Sequence, residues 1–238
     1  MQILALDTAT GGCSVALWRN GDFAARRFRE MARGQSEALL PMVADVLAEA
    51  RTTPTDLDLL AVTRGPGAFT GLRIGLATAR AMALATGLPC LGVATTDVVA
   101  RGVDAGQITG ELLVALDTKR NDFYVQKFAP DYAPLTSPQA MSPQALPELF
   151  GRNSAQPAVL VVGDAANRAI KVLSEAGVRS VLADAPGLPD AAHLAEIAAE
   201  RWRPGDRPGP PMPLYLRPPD AKIPLNGGRL RPQKTDET

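Results

Sequence analysis

Apolar residues in the first part of the chain recur with two different periods. A short apolar run over residues 2–7 is followed by an alternating run over residues 14–18, and Asn20-Gly21 then supplies a strong signal for a hairpin turn. A broad apolar stripe over residues 36–50 has the spacing of a helix, with Ser36 as its predicted N-cap. The pattern predicts a β-meander followed by an amphipathic helix.

A strand, a glycine-rich loop and a second helix follow in that order. The strand is predicted over residues 59–63, the loop over residues 64–71, and an Ala-rich helix over residues 72–86, which Gly87 stops. A further apolar strand is predicted over residues 90–93. These elements indicate an α/β lobe.

The second half of the chain repeats part of this pattern. Residues 115–118 copy the tetrapeptide Ala-Leu-Asp-Thr of residues 5–8, and each copy ends an apolar strand and enters a predicted hairpin. A strand over residues 159–162 then leads through Gly163 into a helix, in the same order as in the first half. We therefore predict two α/β lobes of similar topology. The predicted boundaries are 1–103 for the N-terminal lobe, 104–189 for the C-terminal lobe, 190–218 for a helix and segment that pack back on the body, and 219–238 for a flexible tail.

Composition and charge narrow the classes of function. The chain has 238 residues, of which 46% are hydrophobic and 21% charged, so it can bury a substantial core. Its 25 basic and 25 acidic residues cancel, which means that any binding of RNA must be local or must occur through a partner. The N-terminus lacks a basic region before its apolar run, and Arg80 interrupts the longest apolar stretch. We expect a cytoplasmic protein without a membrane span.

The scarcity of histidine excludes several kinds of catalysis. His193 is the single histidine, so one chain cannot build a paired-histidine metal site or a relay between histidines, and we expect no metal site and no peptidase activity. Cys13 and Cys90 lack metal-ligand spacing and are predicted to be buried thiols. We assign no catalytic residue.

Two aspartates end corresponding strands and form the main candidate for chemistry. Asp7 and Asp117 can face one another across a cleft between duplicated lobes and hold a metal-bound nucleotide, as in sugar kinases. Alternatively, each aspartate caps its own turn through local hydrogen bonds. Both interpretations stay open for Asp7, whereas local capping is favoured for Asp117.

The glycine-rich loop before the second helix is a candidate anion site. A loop of this kind offers backbone N–H groups and a helix N-terminus to an anion, but it is equally well explained as a structural turn. Its sequence matches neither a Walker loop nor a Rossmann fingerprint. The candidates for an anion, nucleotide or composite site are Asp7, Thr8, Gly65, Gly67, Thr70, Gly71, Arg73 and Asp117.

Several of these motifs together resemble the TsaB family, which is also called YeaZ. The most specific element is Gly-Pro-Gly-x-Phe-Thr-Gly-Leu-Arg over residues 65–73. The resemblance covers roughly residues 1–217, and the other matching stretches are residues 3–10, 13–18 and 39–41, Leu116-Asp117 with Phe123-Tyr124, and Tyr215-Leu216-Arg217.

The resemblance implies an α/β protein with the actin-like and sugar-kinase-like (ASKHA) fold of two similar lobes. It implies a non-catalytic scaffold or regulatory subunit that binds TsaD, with TsaE as third partner, for the threonylcarbamoylation of adenosine 37 in tRNAs that read ANN codons. TsaD carries the metal site and performs the transfer. The family further implies a homodimer when the chain is alone, contact with tRNA through the complex, and no intrinsic cofactor, with ATP or ADP at the interface with TsaD.

The family also implies that the two helices of the N-terminal lobe form the partner interface. The implied interface residues are Ser36, Leu39, Leu40, Val43, Leu47, Leu72, Leu76, Ala79 and Arg80. Two positions depart from the family pattern. Gln35 stands where many relatives have histidine, and Ala165 replaces the second glycine of a kinase-like adenosine loop. The alternative function is an ATP-binding kinase or ATPase of the same fold that uses Asp7 and Asp117.

Overall fold

The first lobe is built on a five-stranded mixed sheet. The computed structural model describes residues 1–150 and 157–217, so the predicted tail lies outside the described residues. The central strand β1 pairs antiparallel with β2 and parallel with β4, and the strand order is β3-β2-β1-β4-β5. The elements are β1 (Gln2–Asp7), β2 (Gly12–Arg19), β3 (Asp22–Glu30), α1 (Gln35–Glu49), β4 (Leu59–Thr63), α2 (Phe69–Thr86), β5 (Cys90–Val93) and α3 (Thr95–Arg101).

The second lobe repeats the topology of the first. Its sheet has the order β8-β7-β6-β9-β10, in which β6 pairs antiparallel with β7 and parallel with β9. In this order β8, β7, β6, β9 and β10 correspond in turn to β3, β2, β1, β4 and β5 of the first lobe. The two similar lobes confirm the predicted actin-like and sugar-kinase-like fold. The elements are β6 (Leu112–Asp117), β7 (Phe123–Phe128), β8 (Gln139–Met141), β9 (Val159–Val162), α4 (Ala166–Glu175), β10 (Ser180–Leu182) and α5 (Ala191–Arg201).

Strand β1 carries the core of the first lobe on both of its faces. Leu4 and Leu6 point to the side covered by α1 and α2, whereas Ile3 and Ala5 point to the side covered by α5. This alternation follows from the two-residue period of a strand. The helix α5 therefore packs on the sheet of the first lobe, although it follows the second lobe in sequence.

The hairpin between β2 and β3 has the predicted turn. Asn20 has φ 51° and Gly21 has φ 106°, so both central residues are left-handed. A two-residue hairpin of type I′ requires this conformation, which asparagine and glycine adopt at the lowest cost.

The start of α1 differs from the prediction. Gly34, at φ 95°, is the N-cap, and its carbonyl accepts a hydrogen bond from Ala38 N–H. Ser36 lies in the first turn, where its hydroxyl donates to Glu37 at 2.7 Å instead of capping the helix. Glycine takes the cap position because the chain turns there with a positive φ, which serine adopts poorly.

No helix in the described part of the chain is both long and apolar enough to cross a bilayer.

Candidate functional site

The glycine-rich loop packs directly on the end of β1. A Cβ atom at Gly67 would lie 2.2 Å from the carbonyl oxygen of Ala9, and one at Gly71 would lie 2.1 Å from that of Thr8. Any side chain at these two positions would clash with backbone. The glycines thus serve the contact between the loop and the β1–β2 hairpin.

The polar groups of the loop are used inside the protein. Ala68 N–H donates to the carbonyl of Ala9 at 2.7 Å, and the Thr8 hydroxyl donates to the carbonyl of Gly71 at 2.7 Å. The carbonyl of Gly65 accepts from Thr95 N–H at 2.9 Å. The structural-turn interpretation accounts for all of these contacts.

Asp7 is completely buried at the end of β1. Its Oδ1 accepts hydrogen bonds from the Thr63 hydroxyl at 2.6 Å and from Ala9 N–H at 3.2 Å. Its Oδ2 is buried and has no partner among the described residues. Burial raises the pKa of Asp7 from 3.8 to about 7, although the bonds from Thr63 and Ala9 oppose the shift. This carboxyl group presents no surface to a cleft.

Asp117 lies at the equivalent strand end and is neutralised by its own lobe. Its carboxylate accepts from Lys119 N–H at 2.9 Å and forms ion pairs with Lys119 at 3.2 Å and Arg168 at 3.1 Å. Burial pushes its pKa upward, but these bonds and ion pairs outweigh burial and hold it below its usual value. The local-capping interpretation of Asp117 is therefore the one the contacts support.

The residues between the lobes do not fit a metal-bound nucleotide. Asp7 is closed off, and Asp117 already has two cationic partners. In the second lobe, a Cβ atom at Gly163 would lie 2.1 Å from the carbonyl oxygen of Ala115, so this loop also packs on backbone. The Asp164 carboxylate accepts from Asp117 N–H at 2.7 Å. Oxygen ligands that Mg²⁺ would need are thus committed within the protein.

The remaining nucleophilic and titratable candidates are not activated. Burial raises the pKa of Cys13 to about 11 and that of Cys90 to about 12, so both stay protonated thiols at neutral pH. His193 Nδ1 lies 3.3 Å from Glu196 on the same helix, α5. Within residues 1–150 and 157–217, no group of three or more His, Cys, Asp or Glu side chains is placed to hold a metal.

The predicted interface residues divide into buried and exposed sets. The larger set forms core inside the lobe: Leu39, Val43, Leu47, Leu72, Leu76 and Ala79 are all buried. An apolar stripe marks the buried face of a helix but does not tell whether that face packs on its own sheet or on a partner. Ser36 and Leu40 are exposed, and Leu40 retains 58% of its surface.

A C-terminal strap, defined as residues 211–217, crosses the loop side of the first lobe. Leu214 N–H donates to the carbonyl of Arg64 at 2.7 Å, and Arg80 Nε donates to the carbonyl of Pro211 at 3.1 Å. Arg217 at the end of the strap forms an ion pair with Asp122 of the second lobe. The strap therefore connects the two lobes, and Arg80 holds it in place.

The strap accounts for the contacts of Arg73, which together with Thr70 was predicted to add polar contacts for an anion. The guanidinium group of Arg73 lies 3.7 Å from the ring centroid of Phe69, and its Nε donates to the Tyr215 hydroxyl at 3.3 Å. The Phe69 and Tyr215 rings are 5.5 Å apart. Arg73 thus joins α2 to the strap, while Thr70 is exposed in the first turn of α2. Sequence reasoning predicted that residues 190–218 pack back on the body, but it did not predict the contacts of Phe69 and Tyr215 with Arg73, since none of these residues lies in a periodic pattern.

The chain is similar in sequence to proteins of tRNA threonylcarbamoyladenosine synthesis. A family model described as "TsaD: tRNA N6-adenosine threonylcarbamoyltransferase" matches residues 29–146. The tRNA threonylcarbamoyladenosine biosynthesis protein TsaB of Escherichia coli (strain K12) is 41% identical over 131 residues, which cover 55% of this chain and 56% of that protein. The chain thus matches about half the length of this curated relative.

Other similar proteins match over nearly the whole chain. An uncharacterized protein of Mycobacterium tuberculosis (strain ATCC 25618 / H37Rv) is 34% identical over 222 residues, covering 92% of this chain and 93% of that protein. The solved structure of YeaZ from Pseudomonas aeruginosa superposes with a TM-score of 0.76 at 28% identity, covering 90% of this chain and 99% of that one. A second Pseudomonas aeruginosa structure, described as similar to peptidase YeaZ, gives the same TM-score.

Proposed function

The chain belongs to the TsaB (YeaZ) family, and we propose that it is a non-catalytic subunit that binds TsaD, with TsaE, for the threonylcarbamoylation of adenosine 37 in tRNAs that read ANN codons. The observation that carries this proposal is the state of the two strand-end aspartates. Asp7 is sealed in the interior, and Asp117 is neutralised by Lys119 and Arg168. A subunit with these residues supports a catalytic partner instead of performing the transfer.

The exposed side of α1 and α2 supplies a docking face for that partner. Leu40 is 58% exposed and Leu84 is 88% exposed, and small alanines flank them on the same helix faces. Exposed apolar side chains of this size on two adjacent helices are typical of a protein interface.

The charges of the two helices favour a partner that carries a similar helix pair. The charged residues of α1 are all acidic, namely Glu37, Asp45 and Glu49, whereas those of α2 are Arg73 and Arg80. The strap partners of Arg73 and Arg80 are uncharged, so both arginines keep their positive charge, and in a two-fold arrangement the acidic helix of one molecule can face the basic helix of the other. This supports TsaD, whose family model matches residues 29–146, as the partner, and a second copy of this chain when TsaD is absent.

A nucleotide in this assembly belongs at the interface with TsaD. The space between the two lobes of this chain is unsuited to Mg-ATP because Asp117 is already paired and the loop glycines contact backbone. The same contacts weigh against the alternative of an independent kinase or ATPase. The high pKa values of the two thiols and the pairing of the lone histidine with Glu196 weigh against a peptidase.

The proposal is tested by mixing the full chain with TsaD from the same organism and measuring the mass of the complex by light scattering. We expect a heterodimer to replace the homodimer of the isolated chain. A mixture in which the two proteins keep their separate masses at micromolar concentration, with and without ATP, would overturn the proposed partnership.

A further inference from the structure

A cavity lies on the side of α3, between the two lobes. Its volume is about 610 Å³, and its wall combines the loop after β4, the start of α3, the end of α5 and the segment of residues 134–138. The strand-end aspartates Asp7 and Asp117 do not line it. The cavity is thus distinct from the candidate site between the two hairpins.

Two arginines face this cavity with a single carboxylate between them. Arg201 forms an ion pair with Asp97 at 2.8 Å, whereas the half-buried side chain of Arg64 has no hydrogen-bond or ion-pair partner among the described residues. The wall therefore carries one net positive charge. A half-buried guanidinium group with no partner in the described part of the chain favours an anionic ligand, because partial burial weakens its hydration.

The backbone of Arg64 is held in place on both sides. Its N–H donates to the carbonyl of Val93 at 2.9 Å, and its carbonyl accepts from Leu214 N–H in the strap at 2.7 Å. The backbone from which the Arg64 side chain reaches the cavity wall is therefore fixed.

The rest of the wall suits a nucleotide unit of an RNA strand. The Ser137 hydroxyl provides a polar group, and Leu135, which is 49% exposed, lies with Pro134 and Pro138 as an apolar surface for a ribose or base. One net positive charge matches a phosphodiester, which carries a single negative charge. A phosphomonoester carries between one and two negative charges at neutral pH.

Cations continue beyond the cavity along the chain. Arg203 and Arg207 follow Arg201, and within residues 1–150 and 157–217 the guanidinium contacts of both are with backbone carbonyls, not with carboxylates. The nearby acids are engaged, since Glu200 binds Arg101 and Asp206 accepts from Arg203 N–H. Arg203 and Arg207 against Asp206 leave the segment after α5 with one further positive charge, and added positive charge favours binding of a polyanion.

We propose that the Arg64–Arg201 cavity binds the phosphodiester backbone of the substrate RNA. The inference rests on the proposed function, which supplies tRNA as the nucleic acid. Arg64 makes the direct phosphate contact, and Arg201 stays paired with Asp97 while adding to the positive field.

The test measures binding of an unmodified tRNA transcript to the full chain by fluorescence anisotropy over a series of salt concentrations. Arg64→Gln should weaken binding about tenfold, and it should lower the slope of log affinity against log salt by about one. The matched control is Arg51→Gln, which removes an exposed arginine after α1 and should leave both quantities unchanged. Urea unfolding of both variants checks that they fold.

Three outcomes would overturn the inference. In the first, the wild-type chain does not bind the transcript at low salt. In the second, Arg64→Gln binds the transcript as tightly as Arg51→Gln does. In the third, Arg64→Gln loses affinity for inorganic phosphate or AMP while its tRNA binding is unchanged, which would assign the cavity to a free anion. The mass of the complex with TsaD, measured for the same variants, separates this test from that of the proposed function. Arg64→Gln should form the complex normally, and absence of the complex for the wild type would count against the proposed function alone.

Discussion

The carboxyl group of Asp7 illustrates how one residue can occupy a position typical of catalysis and still be structural. Both of its hydrogen bonds reach Oδ1 and come from Thr63 and Ala9, inside the protein. Its Oδ2 has no partner among the described residues. Since burial favours the neutral form, the ionised group is costly for the folded state.

The stability of the protein should therefore depend on the ionisation of Asp7. Its pKa is about 7 in the folded protein and 3.8 without perturbation, so between these values the folded state binds one proton more than the unfolded state. The free energy of unfolding then falls as pH rises from about 4 to about 7, by on the order of 4 kcal/mol for this group. Asp7→Asn should remove this fall, as measured by urea unfolding at pH 5 and pH 8. An unchanged difference between the two pH values in Asp7→Asn would show that Asp7 is ionised throughout.

Gly71 should not tolerate a larger side chain. In Gly71→Ala the new methyl group would lie 2.1 Å from the carbonyl oxygen of Thr8, so the helix must move away from β1. We expect a loss of about 1–3 kcal/mol in the free energy of unfolding. Gly209→Ala is the control, since no atom lies within 4 Å of its added Cβ. Equal stability of the two variants, by thermal unfolding, would refute the close packing of this loop.

At the scale of elements, the sequence pattern of α1 predicts the helix and its apolar face, but not the surface on which that face packs. The period of its apolar residues correctly predicted a helix and identified Leu39, Val43 and Leu47 as one face. The period contains no information on which surface covers that face. Leu40 belongs to the same predicted stripe but lies at its edge and is exposed, so it is the better candidate for a partner contact.

Substitutions on the two faces of α1 should have different effects. Leu40→Glu should change stability by less than about 0.5 kcal/mol, because the side chain is on the surface, and should prevent formation of the complex with TsaD. Leu39→Ala should instead cost about 2–5 kcal/mol of stability, because it opens a cavity in the core. Urea unfolding and light scattering distinguish these effects. A normal complex with Leu40→Glu would place the docking face elsewhere.

At the scale of the whole molecule, the strap of residues 211–217 ties together parts that are far apart in sequence. Arg80 on α2 donates to the Pro211 carbonyl, and Arg217 reaches Asp122 in the second lobe. The family interpretation placed Arg80 at the partner interface, whereas its guanidinium group is used within the chain.

Removing the Arg80 donor should loosen the strap. Arg80→Met keeps a long side chain with a similar hydrocarbon stem, but it cannot donate a hydrogen bond to the Pro211 carbonyl. We therefore expect the free energy of unfolding to fall by about 1 kcal/mol and hydrogen exchange at the Leu214 amide to become faster. The substitution Arg51→Met is the control. Equal exchange rates at Leu214 in the two variants would mean that Arg80 does not hold the strap.

The overall fold was more predictable than the site. The duplicated Ala-Leu-Asp-Thr stretches and the order of strands and helices predicted two similar lobes, because local periodicity reflects the pairing of neighbouring elements. The strap has no such period, and its contacts with Arg64 and Arg80 join residues more than 130 positions apart. Asp117 is paired with Lys119, which lies near it in sequence, and also with Arg168, a residue of α4 that no motif links to it.

The most direct test of the account measures threonylcarbamoylation of tRNA by TsaD and TsaE, supplied with ATP and threonylcarbamoyl-adenylate, with and without this chain. We predict that activity requires the chain and persists when the chain carries Asp7→Asn, since Asp7 takes no part in chemistry. Modification of tRNA or turnover of ATP by the chain alone, abolished by Asp7→Asn, would contradict the account and indicate a kinase-like enzyme.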